Sequence, residues 1–120
     1  MTKQAIIFEV SDRSFEKYVI GNSNKAPVFV AFINVWSEPC NRMSDMLAAL
    51  ATEFAEEFVF AKVDIDENDE LKQKYNIENV PTLKVFVDGI DVVTEEGALN
   101  EAEARALLKS FDIVNKTEEM

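Results

Sequence analysis

The chain has 120 residues and a net charge of −11, from 12 lysine and arginine against 23 aspartate and glutamate side chains. Its length predicts a single domain, its 48% of hydrophobic residues excludes a disordered chain, and its acidity argues against nucleic-acid or anionic-membrane partners. The absence of histidine excludes Ser-His-Asp and Cys-His catalysis and His-ligated zinc, and a single cysteine, Cys40, excludes a disulfide within the chain.

Strands and helices alternate in the first half of the sequence. Residues 5–10 are a short apolar run that predicts a strand, and Ser11 or Asp12 can then cap a short helix that runs to about residue 20. Residues 27–36 are apolar almost throughout, which is typical of a central strand buried on both faces. After Pro39, apolar residues recur at steps of three and four as far as Phe58, which predicts a long amphipathic helix.

The second half continues the alternation and ends in a hairpin and a helix. Residues 59–64 predict the next strand, and residues 71–75 a short helix behind an acidic loop. Residues 81–87 and 90–94 predict a hairpin around the Asp88-Gly89 turn, and Asn100 with Glu103 has the spacing of a capping box that opens the last helix. The order β-α-β-α-β-α-β-β-α predicts an α/β fold, with a mixed central sheet flanked by helices on both faces.

The turn before the long helix reads W-S-E-P-C at residues 36–40. It resembles the active-site turn of thioredoxins, W-C-G-P-C, with Ser37 in place of the first cysteine. The resemblance continues at Lys62 and Asp64, and at three short motifs: V-P-T at 80–82, D-G at 88–89 and G-A-L at 97–99. It therefore covers roughly the whole chain and implies the thioredoxin fold. We expect one such domain over residues 1–114, followed by a polar tail over 115–120 that could be where a C-terminal region was removed.

The resemblance also implies which chemistry is missing. In thioredoxins the first cysteine attacks a substrate disulfide, but here that position is Ser37, and the chain has no histidine to activate a hydroxyl. Cys40 matches the resolving cysteine, for which we expect an inert buried thiol, with a reactive thiol as the other interpretation. Ala31 stands where the family has a buried aspartate that helps proton transfer.

Two functional hypotheses from different classes follow from the resemblance. The leading one is a module without the nucleophilic cysteine that binds extended or unfolded polypeptide, similar to the N-terminal domain of chaperedoxin-like co-chaperones, in which a thioredoxin domain precedes tetratricopeptide repeats. Its implied binding residues are Trp36, Ser37, Glu38, Pro39, Val80, Pro81 in a cis peptide bond, and Gly97. The alternative is a monothiol thiol–disulfide oxidoreductase that forms mixed disulfides through a catalytic Cys40. A structural subunit that uses the fold for docking is a third interpretation.

Cofactors, partners and location complete the expectations. Residues 64–70 contain five acidic side chains and begin like a calcium loop, but the sixth and twelfth positions are Asp69 and Tyr75 rather than glycine and glutamate, so we expect a solvated loop and no metal site. We expect no cofactor, polypeptide clients or partner proteins, and no nucleic-acid or membrane partner, and the oligomeric state stays open. No signal peptide or membrane-spanning run is visible, so a reducing cytoplasm is the expected compartment.

Overall fold

The computed structural model describes the backbone of residues 7–119 and the side chains of residues 7–111. Five strands form one mixed sheet in the order β1-β3-β2-β4-β5, with β1 and β2 parallel to β3, β4 antiparallel to β2, and β5 antiparallel to β4. The strands are β1 (Ile7–Glu9), β2 (Val28–Ile33), β3 (Val59–Asp64), β4 (Thr82–Val87) and β5 (Ile90–Glu96). The α-helices are α1 (Glu38–Glu53), α2 (Asp69–Lys74) and α3 (Glu101–Glu119), and a π-helix spans Glu16–Gly21.

The central strand β2 divides the core into two layers. Alternate side chains of a strand point to opposite faces, and Phe29 and Ile33 lie in the cluster that includes α1 and α3, whereas Val30 and Phe32 lie in the cluster with the π-helix and α2. Each β2 residue is 5% exposed or less, so burial on both faces is confirmed for residues 28–33. The predicted strand was too long, because Val35 and Trp36 lie beyond its end and are exposed. The predicted mixed sheet with helices on both faces is confirmed as well.

Several element boundaries differ from the predictions. Residues 5 and 6 of the first predicted strand lie outside the described residues, and the following helix is the π-helix. The long helix ends at Glu53 rather than Phe58, because the backbone leaves the helix at Phe54. The Phe58 N–H still donates to the Phe54 carbonyl, and this turn buries Phe58 against Phe29. The apolar spacing therefore continues past the end of the helix.

Two predicted caps have different outcomes. The capping box of α3 is confirmed, because Asn100 N–H donates to Glu103 Oε1 at 3.0 Å and Glu103 N–H donates to Asn100 Oδ1 at 2.8 Å. The prediction that Ser11 or Asp12 caps the following helix is wrong, because the helix Glu16–Gly21 has no side-chain cap. Asp12 Oδ1 instead accepts the Leu71 N–H of α2 at 2.9 Å, and the Asp12 N–H donates to Asn68 Oδ1. Asp12 thus supplies the side-chain acceptor at the start of α2. The backbone of α3 continues through Glu119, and the domain division at residue 114 stays a prediction.

A buried cation connects the two strands of the hairpin. The Lys84 ammonium lies 2.6 Å from Asp91 Oδ2 and 2.8 Å from Thr94 Oγ1, and its side chain is only 8% exposed. It also lies 5.9 Å from the centroid of the Tyr75 ring. Charges are seldom buried unless they are paired, so these neighbours make burial of Lys84 possible. Among the described residues, no helix has the length and apolarity needed to cross a membrane.

Candidate functional site

The turn at residues 34–37 connects β2 to α1 and ends at a helix cap. Ser37 is the N-cap residue, with extended backbone angles, and Pro39 occupies the first turn of the helix. Serine is favoured at this position because its hydroxyl accepts from a backbone N–H of the first turn; here Ser37 Oγ accepts from Cys40 N–H at the long distance of 3.5 Å. The Asn41 N–H donates to the Ser37 carbonyl at 3.0 Å and closes the first helical hydrogen bond.

Asn34 holds this turn from inside the protein, which sequence reasoning missed. Its residue exposure is 3%, and its side-chain Oδ1 accepts the Ser37 N–H at 3.0 Å. A polar residue that follows six buried strand positions directly is the signal that points to it, since a buried amide needs a partner.

Cys40 is buried and free. It is 0% exposed and lies in the same core cluster as Ala31 and Met43. The burial that we expected for this thiol is therefore confirmed. Ala31, the position of the family's aspartate, is also 0% exposed, so the core layer that holds Cys40 has a methyl group there. Lys62, which pairs with Ala31 across β2 and β3, has its ammonium 3.4 Å from Glu9 Oε1.

Trp36 lies outside the core but has a fixed neighbour. It is 75% exposed, and its indole N–H donates to Asp66 Oδ2 at 3.1 Å. Asp66 is in the acidic segment that we predicted as a solvated loop, and its N–H donates to Asp64 Oδ1 at 3.0 Å. The loop therefore does more than face solvent, because one of its carboxylates orients the indole. This contact spans 30 residues of sequence, which is why no local pattern revealed it.

The remaining predicted site residues lie at the same end of the sheet, near the last residues of β2. The Val80–Pro81 peptide bond is cis, as the resemblance implied. Gly97 has a φ of 90°, a value that favours glycine, and its N–H donates to the Pro81 carbonyl at 2.8 Å. Because Phe32 near the end of β2 pairs with Thr82 at the start of β4, the strand pairing puts Pro81 at the end of the sheet from which the turn leaves.

The site residues differ in exposure. Val80 is partly buried and packs against both core clusters, whereas Pro81 is buried. Glu38 is exposed at the start of α1, and its carboxylate bonds the Arg42 guanidinium one turn later at 3.0 Å. In the described part of the chain, no group of three or more His, Cys, Asp or Glu side chains is arranged to hold a metal ion.

Comparison with known proteins identifies the family. The profile of the family described as Thioredoxin matches residues 6–110. The chain belongs to the thioredoxin family. A thioredoxin of Acidithiobacillus ferridurans is 39% identical over 104 residues, covering 87% of this chain and 94% of that protein. Thioredoxins of Rhodospirillum rubrum (38% over 91 residues; 76% and 86% covered) and Mycobacterium tuberculosis (35% over 113 residues; 94% and 93% covered) are similarly close.

These relatives correct the leading functional hypothesis. The polypeptide-binding co-chaperone interpretation is wrong, because proteins named thioredoxin match most of the chain at 30–39% identity and point to a redox role in the thioredoxin family. The monothiol redox alternative agrees better with them. The finer resemblance to chaperedoxin-like proteins has no support in these comparisons. The error came from giving one substitution, Ser37, more weight than the rest of the chain.

Proposed function

We propose that this member of the thioredoxin family is a thiol–disulfide redox protein that works with a single thiol, Cys40. The observation that carries the proposal is the position of this thiol. The chain's one cysteine is the third residue of α1 and follows an exposed turn. It lies at the end of the sheet where Pro81 and Gly97 also lie. Relatives named thioredoxin over most of the chain support the same chemistry.

The proposed reaction has two exchange steps. In the first, the Cys40 thiolate attacks one sulfur of a substrate disulfide, a Cys40–substrate disulfide forms, and the other substrate sulfur leaves as a thiolate. In the second, a low-molecular-weight thiol such as glutathione attacks the mixed disulfide at the substrate sulfur. Cys40 leaves as a thiolate, and the substrate is released as a mixed disulfide with glutathione. The number of disulfides is unchanged in each step, so no further oxidant or reductant is needed.

Other residues have supporting roles in this proposal. The N-terminus of α1 carries a partial positive charge, and Cys40 lies in its first turn. The backbone at Val80 and Pro81, with Gly97 beside it, would hold the substrate segment that contains the disulfide, and Trp36 would contact it from the turn. Ser37 and Glu38 flank the thiol without reacting, because neither is a nucleophile under these conditions and Glu38 is paired with Arg42.

Proton transfer is the weak point of the site. The chain has no histidine, and Ala31 replaces the family's buried carboxylate. Neither a histidine nor that carboxylate is present to accept the Cys40 proton, and the thiol is 0% exposed, so the proton reaches solvent only when the turn opens. A reducing cytoplasm that contains glutathione would supply the second thiol, and we propose this compartment for the protein.

The proposal is tested by trapping the mixed disulfide. The folded protein is incubated with oxidised glutathione at mildly alkaline pH, and its intact mass is measured. We expect one glutathione per chain at Cys40 and its removal by reduced glutathione, whereas Cys40→Ala gives no adduct. Ser37→Ala should still form one adduct per chain, since the hydroxyl takes no part in the exchange. Only the presence of the adduct is compared, because this variant also removes the acceptor of the Cys40 N–H. A native protein that stays unmodified, while the same chain in urea is modified, would contradict the proposal.

A further inference from the structure

We infer that Asn34 is a positioning residue that keeps the turn at residues 34–37 closed over Cys40, and that release of its hydrogen bond to Ser37 exposes the thiol. We call the hydrogen bond from the Ser37 N–H to Asn34 Oδ1 the latch. Its role in controlling access to Cys40 rests on the proposed function, because a thiol that never reacts needs no such control. The latch itself is a property of the turn and can be tested without any redox reaction.

The turn is held mainly by hydrogen bonds. Its two large apolar side chains, Val35 and Trp36, are 66% and 75% exposed, so little apolar burial stabilises it. Segments with few buried contacts and solvent-exposed hydrogen bonds open at lower free energy than the core. Cys40 lies just beyond this turn and is 0% exposed. Because Ser37, the last residue of this turn, contacts the backbone N–H of Cys40, we infer that opening of the turn is the route by which the thiol reaches solvent.

Asn34 makes the bond that water can least replace. Its carboxamide belongs to a residue that is only 3% exposed, and its Oδ1 accepts the Ser37 N–H at 3.0 Å. The bond between Trp36 and Asp66 is an exposed one, so water competes with it. The contact between Ser37 Oγ and Cys40 N–H is long, at 3.5 Å.

Ser37 connects the latch to the thiol. It is the N-cap of α1, and it contacts the backbone N–H groups of Cys40 and Asn41 through its hydroxyl and its carbonyl. If Ser37 moves, these N–H groups lose their acceptors and the first turn of the helix frays. Cys40 is in that first turn, so fraying brings its sulfur toward solvent.

The experiment measures the alkylation rate of Cys40 by iodoacetamide in the folded protein. Asn34→Ala removes the acceptor and should accelerate alkylation by about two- to tenfold, the factor that corresponds to a typical net hydrogen bond. Asn34→Ser keeps an uncharged acceptor oxygen and should stay nearer the wild-type rate than Asn34→Ala. Asn100→Ala is the matched control, because it removes the same kind of bond, from Glu103 N–H to an asparagine side chain, at the start of α3.

The outcomes separate the latch from its alternatives. A faster rate in Asn34→Ala alone supports the latch, whereas equal rates in Asn34→Ala and wild type, or equal acceleration in Asn34→Ala and Asn100→Ala, overturn it. If Asn34→Ala does not fold, hydrogen exchange of the wild type decides. The latch requires the Ser37 amide and the Cys40 thiol to share one opening equilibrium constant, larger than that of the Phe32 amide in β2. If the opening equilibrium constant of the Cys40 thiol equals that of the Phe32 amide and not that of the Ser37 amide, the latch is refuted.

The same samples test the proposed function separately. Each variant is also incubated with oxidised glutathione and its adduct is measured by mass. Faster alkylation of Asn34→Ala without any adduct in any variant supports the latch and refutes the redox function. Adduct formation at equal rates in wild type and Asn34→Ala supports the redox function and refutes the latch.

Discussion

Replacing Lys84 by methionine should lower the free energy of unfolding more than the same replacement of Lys62, whose ion pair with Glu9 is more exposed. The ammonium is nearly enclosed, and it bonds Asp91 at 2.6 Å and Thr94 at 2.8 Å. Removing one partner of a fully buried pair costs about 3–5 kcal/mol. The Asp91 side chain is 26% exposed and water can reach its carboxylate, so we expect a smaller loss, about 2–3 kcal/mol.

A double-mutant cycle isolates the cause. Lys84→Met leaves Asp91 without its cation, whereas Lys84→Met with Asp91→Ala removes both charges and should recover most of the loss, since replacing both members of a buried pair by apolar groups is often nearly neutral. Lys62→Met is the control: its ammonium is 3.4 Å from a Glu9 carboxylate that is 79% exposed, and such pairs contribute about 0–1 kcal/mol.

Urea unfolding followed by far-UV circular dichroism gives the free energies. Trp36 is a poor probe for this purpose because it is exposed in the folded state. The reasoning would be refuted if Lys84→Met lost no more stability than Lys62→Met. Asp91→Ala alone completes the cycle. The reasoning would also be refuted if the double variant lost the sum of the losses of Lys84→Met and Asp91→Ala, because the charges would then not be coupled.

Three further predictions concern the site and its surroundings. Ser37→Cys should form a disulfide with Cys40 under mild oxidation, measured as the loss of two free thiols; two thiols that stay free would contradict it. Asp66→Ala should lower the fluorescence anisotropy of Trp36 and change stability by less than about 0.5 kcal/mol, and an unchanged anisotropy would show that the 3.1 Å bond does not restrain the indole. The pKa of Tyr75 is raised above 10.0, by burial first and then by Glu16 and Asp91. The folded state therefore holds this proton more tightly than the unfolded state, and the stability that it contributes is present below the unfolded pKa and is lost as the pH rises through the folded pKa. Phenolate absorbance in a Tyr18→Phe background should show this midpoint above 10.0, and a midpoint at or below that value would contradict it.

Local signals in the sequence predicted local structure well. The capping box of α3 needs two residues three positions apart, and both of its hydrogen bonds form as predicted. The Asp88-Gly89 turn has positive φ at both positions, which is the geometry that this dipeptide favours in hairpins. The apolar run of β2 predicted burial on both faces because no polar face could be assigned to it.

Contacts between distant segments were not predictable in the same way. Asp12 has the right chemistry to cap a helix, but the helix it serves begins more than fifty residues later in the chain. Lys84 interrupts an apolar strand, and only the register with β5 shows that Asp91 and Thr94 can neutralise and bond it. Sequence patterns carry periodicity and spacing, whereas these contacts depend on which strands and loops become neighbours.

The candidate site was predictable in position, but its function was misjudged. The turn, the cis proline and Gly97 lie at one end of the sheet, as the resemblance implied. Ser37 was interpreted as the loss of redox chemistry, although a single substitution leaves the other thiol and its helix terminus in place. Asn34 and Asp66, whose side chains accept hydrogen bonds from Ser37 and Trp36 of the turn, have no counterpart in the pattern used to recognise the site.

The urea dependence of the exchange rate between Cys40 and a peptide disulfide tests the redox function most directly. If the folded protein reacts through local opening of the turn, the rate constant should change little with urea below the unfolding transition, because local opening exposes little surface. The contrary result is a rate that is undetectable without urea and whose logarithm rises with urea as steeply as that of the equilibrium constant for global unfolding. It would show that Cys40 reacts only in the unfolded chain. In that case the thiol is an inert part of the core, and the redox function is wrong.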